Sequence, residues 1–455
     1  MSSRTRGFLR VRDLFFAFTR VLPNLFSPLG TPFTAISRYN GWSFILKDSL
    51  MLPFQDARRL VIQKTTPHLL SHPRQASKKN LAEALGDALA QEVRSDRDYP
   101  PFHRSTRDGY AVRASDAAKG AILRCVGEIK AGDTVTQPLA PATCVQIMTG
   151  AAVPAGADAV VMIEFTERAG DNVTFQRATN PGQNIVKKGS EAHSGDIALK
   201  PGIRLGFAEL AVAAQVGAAE LLCARRPRVA ILSTGDEVVP VTEQPGPFHI
   251  RNSNSVSLAA QVRLAGAEPV PLGNALDRVD DLGAKIELGL KEDILVLSGG
   301  VSMGKYDLVE TVLKSLGAEF YFDAVAIRPG KPAVFGRCRD TFVFGLPGNP
   351  VSTMVTFQLF VTPAIDVLGG AHPRPLPLLE ANLTKTLHEK PGLTHFLPAH
   401  FEWTGISPEV CPLTWQGSGD IAALTHANCF IVVPADRQDI PAGEKVSVLP
   451  RLDVI

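Results

Sequence analysis

Several carboxylates and two cations are spaced along this chain in a way that suits phosphate or oxyanion chemistry. Asp236 and Glu237 follow the apolar run that ends at Thr234, Asp277 lies in NALDR, and Asp307 closes GKYD. Such carboxylates would repel a polyanion unless a cation lay between them. Mg²⁺ is therefore the expected cofactor, as a hard ion satisfied by oxygen ligands and substrate phosphates. Arg328 and Lys331 are carried by IRPGKP, where two prolines and a glycine stiffen the loop. Side chains already held in place lose less entropy on binding an oxyanion. In PGNPVS, Pro350 suits a first helical turn, whose free N–H groups face an anion. Loop amides, fixed cations and carboxylates together suit phosphate-bond cleavage or transfer of an oxyanion. These strand ends carry neither a Walker A loop nor GxGxxG, and no nucleophile–base pair announces itself.

Three stretches with one grammar must position these groups. DILVLSGGVSMGK (293–305), RVAILSTGDE (228–237) and TFVFGLPGNP (341–350) each run from a short apolar strand into a loop of small residues. A helix is expected after each, over 306–316, 256–264 and 352–361. Strands alternating with helices predict an α/β domain with a parallel sheet, in which ligands sit beyond the carboxyl ends of the strands. The three loops should therefore gather at one end and line one site.

The rest of the chain reads as further modules. A helix is expected over 52–63 and another over 80–90, with Asn80 as its cap. Residues 96–195 alternate short β runs and turns and predict a compact β domain. Within it, Asp108 of STRDGYAVR and Thr149 of VQIMTG are polar groups at strand ends. A helix over 207–215 and a basic, proline-containing linker lead to the α/β domain. A proline-rich hinge at 372–377 precedes a final β segment, where the loop Gln416–Gly419 could face a ligand.

Composition sets the frame. A chain of 455 residues suggests about three domains, and 45% apolar with 20% charged content is ordinary for a globular protein. A net charge of +2 predicts no nucleic-acid partner. Six scattered cysteines without a CxxC pair indicate neither a zinc site nor a disulfide framework, and a cytoplasmic setting is the default. No run of eighteen apolar residues occurs, so no membrane span is expected. Residues 1–50 mix arginines with aromatics. A transit peptide, a membrane-surface helix and an extension upstream of a start at Met51 all stay open, and the last is preferred because no site motif falls there.

STRDGYAVR, IMTGAAVPAGADAVVMIE, ILSTGDEV, SGGVSMGKYD, IRPGKP and LPGNPVS resemble, in order, the motifs of the molybdopterin molybdenumtransferases, the MoeA and gephyrin E-domain family. The resemblance runs from about Met51 to Ile455. It implies an elongated segment (51–95 with 196–226), an inserted β domain (96–195), a molybdopterin-binding α/β domain (227–371) and a C-terminal β-barrel (372–455). It implies a homodimer whose site lies between one subunit's α/β domain and the other's β domain. The implied reaction joins adenylylated molybdopterin and molybdate, assisted by Mg²⁺, and releases molybdenum cofactor and AMP. A molybdopterin adenylyltransferase is an implied partner. Carried over by motif, Asp108, Thr149, Glu237, Asp277 and Asp307 are active-site residues, and Asp236, Glu237 and Asp307 are the candidate metal ligands. Ser233, Thr234, Gly235, Ser253, Asn254, Ser298, Gly299, Gly300, Ser302, Pro347, Gly348, Asn349 and Pro350 are assigned to substrate. Arg328, Lys331, Ser352 and Ser418 are assigned to molybdate.

This sequence departs from that pattern in places. Arg107 stands beside Asp108, Arg328 replaces the first lysine of KPGK, and NSNS (252–255) replaces DSNR or DTNR. Ala324 and Pro398 fall where the family often carries cations, and His395, His400 and Arg251 are the candidate substitutes. Two other readings are an adenylyltransferase-like enzyme sharing the α/β domain, and a molybdopterin-binding scaffold whose insertion activity has decayed.

Overall fold

The computed structural model describes residues 51–72, 75–300 and 308–454. Ser302 and Asp307, like residues 1–50, lie outside the described residues. The α/β domain contains strands β1 (Arg228–Thr234), β2 (Glu268–Ala275), β3 (Ile294–Ser298), β4 (Glu319–Phe322), β5 (Val334–Cys338) and β6 (Thr341–Leu346). They form one sheet in the order β2-β1-β3-β6-β5-β4. The first four are parallel, and β5 runs antiparallel to both its neighbours. Every residue of β3 and β6 is buried, as a strand covered on both faces must be. Each fully buried Val, Leu, Ile or Phe there contributes roughly 1.5–3 kcal/mol relative to exposure.

Helices cover both faces. The sequence predicted 256–264, and the observed helix α1 spans Ser253–Ala265. The expected helix over 306–316 is described as Leu308–Ser315, and the one over 352–361 continues through Pro350–Leu368. That last helix is long and apolar enough to cross a membrane, yet it is almost wholly buried in the core. The first described helix, Phe54–Ser71, packs against its C-terminal part through Phe54, Ala57 and Val61.

A buried ion cluster ties the segment around Gly86 to this domain. Arg204 and Arg374 reach the fully buried Asp366 at 2.9 and 2.8 Å, while Arg204 Nη1 also donates to the Gly86 carbonyl. Burial lowers the Arg204 pKa, and Asp366 opposes that shift.

The expected helix over 80–90 is absent. Asn80 Oδ1 accepts the Glu83 N–H, so one turn is capped, but the chain then leaves helical geometry. Instead Gly86, Leu89 and Ala90 donate their N–H groups to Leu205, Ile203 and Leu222. Long-range pairing wins there over local helical spacing.

The β domain forms a six-stranded sheet, with Gly109–Val112 between Thr143–Ile147 and Ala159–Met162. Gly109 is required by space: a Cβ there would lie 1.9 Å from the Val161 carbonyl oxygen. Near the C-terminus, Thr394–Trp403, Pro408–Pro412, Leu379–Leu383, Lys445–Pro450 and Cys429–Val433 close on one another as a five-stranded barrel. Ile327–Arg328 adds to it in parallel beside Thr394–His395.

Candidate functional site

A cleft of about 650 Å³ opens at the carboxyl ends of β1, β3 and β6. Sheet order reverses between β1 and β3, since β2 lies to one side and β6 to the other; such a switch point leaves a crevice for ligands. Ser233, Thr234 and Gly235 line the cleft from β1, Ser298, Gly299 and Gly300 from β3, and Pro347 to Pro350 from β6. Ser253 and Asn254 complete this part of the wall from α1. All the substrate-assigned residues that are described thus lie in one cavity.

The loops are cross-braced. Asn254 Nδ2 donates to Ser298 Oγ at 2.8 Å and to the Gly348 carbonyl at 2.7 Å, joining the β3 and β6 loops. Asn252 caps α1 by accepting the Ser255 N–H at 3.0 Å, and Ser233 Oγ donates to the same oxygen at 3.1 Å. Gly299 and Gly300 adopt φ of 93° and 64°. A Cβ on Gly300 would also approach Thr234 Oγ1 to 2.7 Å, so only glycine lets this turn pass β1. Thr234 Oγ1 is buried and has no hydrogen-bond partner among the described residues.

Carboxylates form one edge. Glu237 and Asp277 line the cleft, and Asp236 adjoins them by accepting the Asp277 N–H at 3.0 Å. Burial, then the Asp236 and Glu237 charges, raise the pKa of Asp277 above the ordinary carboxylate value. Among the described residues no group of three or more His, Cys, Asp or Glu gathers tightly enough to cage a metal. The donor set fits Mg²⁺ in a looser way, since that ion usually takes one or two carboxylates and keeps water or substrate phosphates as its other ligands.

The two cations of the IRPGKP loop stand outside the cleft. Arg328 and Lys331 are exposed and make no ion pair among the described residues, while Pro332 of the same loop lines the cleft. Ser352 is buried within its helix and does not line the cavity. Ser418 holds the β6 loop: its Oγ accepts from Asn349 Nδ2 at 2.8 Å and its carbonyl from the Val351 N–H at 3.1 Å. Gly419 and Ile421, on the same barrel loop, reach the cleft.

Asp108 and Thr149 are brought together, 2.6 Å from carboxylate to backbone N–H, on the exposed end of the β domain. The Thr149 N–H and then its side chain lower the Asp108 pKa, so Asp108 is an ionised acceptor at neutral pH. Neither residue lines the cleft of its own chain.

Of the candidate substitute cations, His395 is buried, with Nδ1 2.6 Å from the Glu389 carboxylate. His400 is exposed on the barrel, 3.3 Å from the His426 carbonyl. Arg251 does line the cleft. Sequence reasoning did not place Val238, Ile250, Asn252 or Ile421 there. A signal existed for Asn252, an N-cap residue type before the predicted helix, but none for Ile421.

Family models agree with this architecture. The model for the MoeA N-terminal region (domains I and II) matches residues 52–217, that for a probable molybdopterin binding domain 230–367, and that for the MoeA C-terminal region (domain IV) 380–451. The molybdopterin molybdenumtransferase of Bacillus subtilis is 35% identical over 380 residues, covering 81% of this chain and 88% of that protein. The molybdopterin molybdenumtransferase of Haemophilus influenzae is 34% identical over 404 residues, covering 88% and 98%. Among solved structures, the molybdopterin biosynthesis MoeA protein of Pyrococcus horikoshii OT3 superposes with a TM-score of 0.72 at 26% identity, covering 88% of this chain and all of that one.

Proposed function

The chain belongs to the molybdopterin molybdenumtransferase family, enzymes of molybdenum cofactor biosynthesis, and from that premise we propose how its site works. Its substrates are adenylylated molybdopterin and molybdate, and its products are molybdenum cofactor and AMP. The observation that carries the reading is the cleft at the switch point of the α/β sheet, walled by small residues and edged by Glu237 and Asp277. Loop N–H groups and hydroxyls of Ser233, Ser253 and Ser298 receive the phosphoanhydride, in the manner of other anion-binding loops. Asp236, Glu237 and Asp277 would hold Mg²⁺, which would supply neutralisation between those carboxylates and the substrate phosphates. Arg328 and Lys331 on the adjoining stiff loop attract molybdate, with Ser418 beside the β6 turn.

Asp108 and Thr149 belong to the reaction only if a second copy brings them to the cleft, because they are exposed and outside the cavity of their own chain. On this reading the working enzyme is a homodimer with shared sites. A molybdopterin adenylyltransferase is the reaction partner that must supply the substrate. The scaffold and adenylyltransferase readings gain nothing from any observation.

Complementation tests the reading. Cells lacking molybdenumtransferase activity should regain a molybdate-dependent oxidoreductase activity when they express this chain. Failure to regain it at ordinary molybdate, with the chain present and soluble, would count against the proposal.

A further inference from the structure

Among the described residues lining the cleft, Arg251 is the one basic residue. Glu237 and Asp277 are the acidic ones, and the rest are neutral. An anionic substrate seated there needs a positive group to offset that edge. Arg251 is exposed, and it makes no ion pair with any described carboxylate, unlike Arg204, Arg225, Arg228 and Arg374. Its guanidinium is aimed by neutral acceptors alone: Nε donates to the Glu243 carbonyl and Nη2 to Gln244 Oε1, both at 3.2 Å. Neutral acceptors orient an arginine without cancelling its charge.

Its backbone is equally fixed. Ile250–Arg251 pair in parallel with Val238–Val239, and the Asn252 N–H donates to the Val239 carbonyl at 2.9 Å. Arg251 therefore stands one residue before the cap of the thirteen-residue helix α1, whose N-terminal dipole also favours an anion. A planar guanidinium matches a phosphate with two parallel N–H donors.

We propose that Arg251 is a substrate-binding residue that holds a phosphate group of the adenylylated pterin in the cleft. This inference rests on the functional reading above. It gives Arg251 a different anion from Arg328 and Lys331, so its loss should impair the pterin substrate and leave the molybdate dependence of the reaction unchanged.

The test compares AMP, which carries a phosphate, with adenosine, which does not, by calorimetric titration of the full chain. Arg251→Gln should weaken AMP roughly ten- to hundredfold, the scale of a hydrogen-bonded charge, and leave adenosine binding unchanged. Arg251→Lys should recover part of the loss, since charge returns without the fork. In turnover, Arg251→Gln should raise the KM for adenylylated molybdopterin and not that for molybdate. Equal weakening of AMP and adenosine would assign Arg251 a structural role and overturn the proposal. So would unchanged AMP affinity in an Arg251→Gln protein whose wild type inserts molybdenum, and the functional reading would then stand. A wild type that neither binds AMP nor inserts molybdenum overturns both.

Discussion

Asp277 is the residue where folding and the proposed function pull in opposite directions. Burial and two neighbouring carboxylates disfavour its charged form. Its folded pKa therefore lies above the unfolded value of about 3.9. The corresponding stability is fully present below that value and is lost as pH rises through the folded pKa. At neutral pH the ionised group costs stability, as expected for a carboxylate kept for a ligand. Asp277→Asn should raise Tm at pH 7, with the gain vanishing at acid pH below about 4, while insertion activity falls sharply. Mg²⁺ should stabilise the wild type more than the variant. Thermal unfolding at both pH values, with and without Mg²⁺, checks this; a lower Tm for Asp277→Asn at pH 7 would contradict it. Asp108 has the opposite character. Its lowered pKa gives stability present above the ordinary aspartate value and lost as pH falls through the folded one.

Elements that carry their own local signal were legible in the sequence, and those that depend on distant partners were not. The strands Arg228–Thr234, Ile294–Ser298 and Thr341–Leu346 announced themselves as short apolar runs ending in small residues. Their loops do share one cavity, because parallel strands must present their carboxyl ends together. Residues 80–90 failed because their backbone partners, 203–205 and 222, are more than a hundred positions away and leave no periodicity behind. The same holds for Ile421, which reaches the cleft only because the barrel loop packs on the Asn349–Val351 turn. Asp108 lies at the entry of the Gly109–Val112 strand, and that element is set by a steric constraint. Gly109→Ala would drive a Cβ into the Val161 carbonyl. It should cost about 1–3 kcal/mol of stability, the usual scale for overpacking. The β domain should then lose hydrogen-exchange protection while the α/β domain keeps its own. Unchanged protection across residues 109–112 and 159–162 would show that the sheet yields without penalty.

Across the whole molecule, the Asp108–Thr149 pair lies outside the cleft of its own chain, and the proposed dimer is what would join the two. Two inactive chains, one carrying Asp108→Ala and the other Asp277→Ala, should therefore regain part of the activity when mixed and allowed to exchange. Some heterodimers would then carry one intact site. No recovery, with exchange shown independently by mass, would place the β-domain pair outside the reaction. The most direct test of the account is molybdenum insertion by the purified chain, given adenylylated molybdopterin, molybdate and Mg²⁺. AMP should appear in step with cofactor able to activate a molybdenum-free apoenzyme, one for one, and omitting molybdate should abolish the activating product. Tight binding of adenylylated molybdopterin with neither AMP release nor activating cofactor would contradict it.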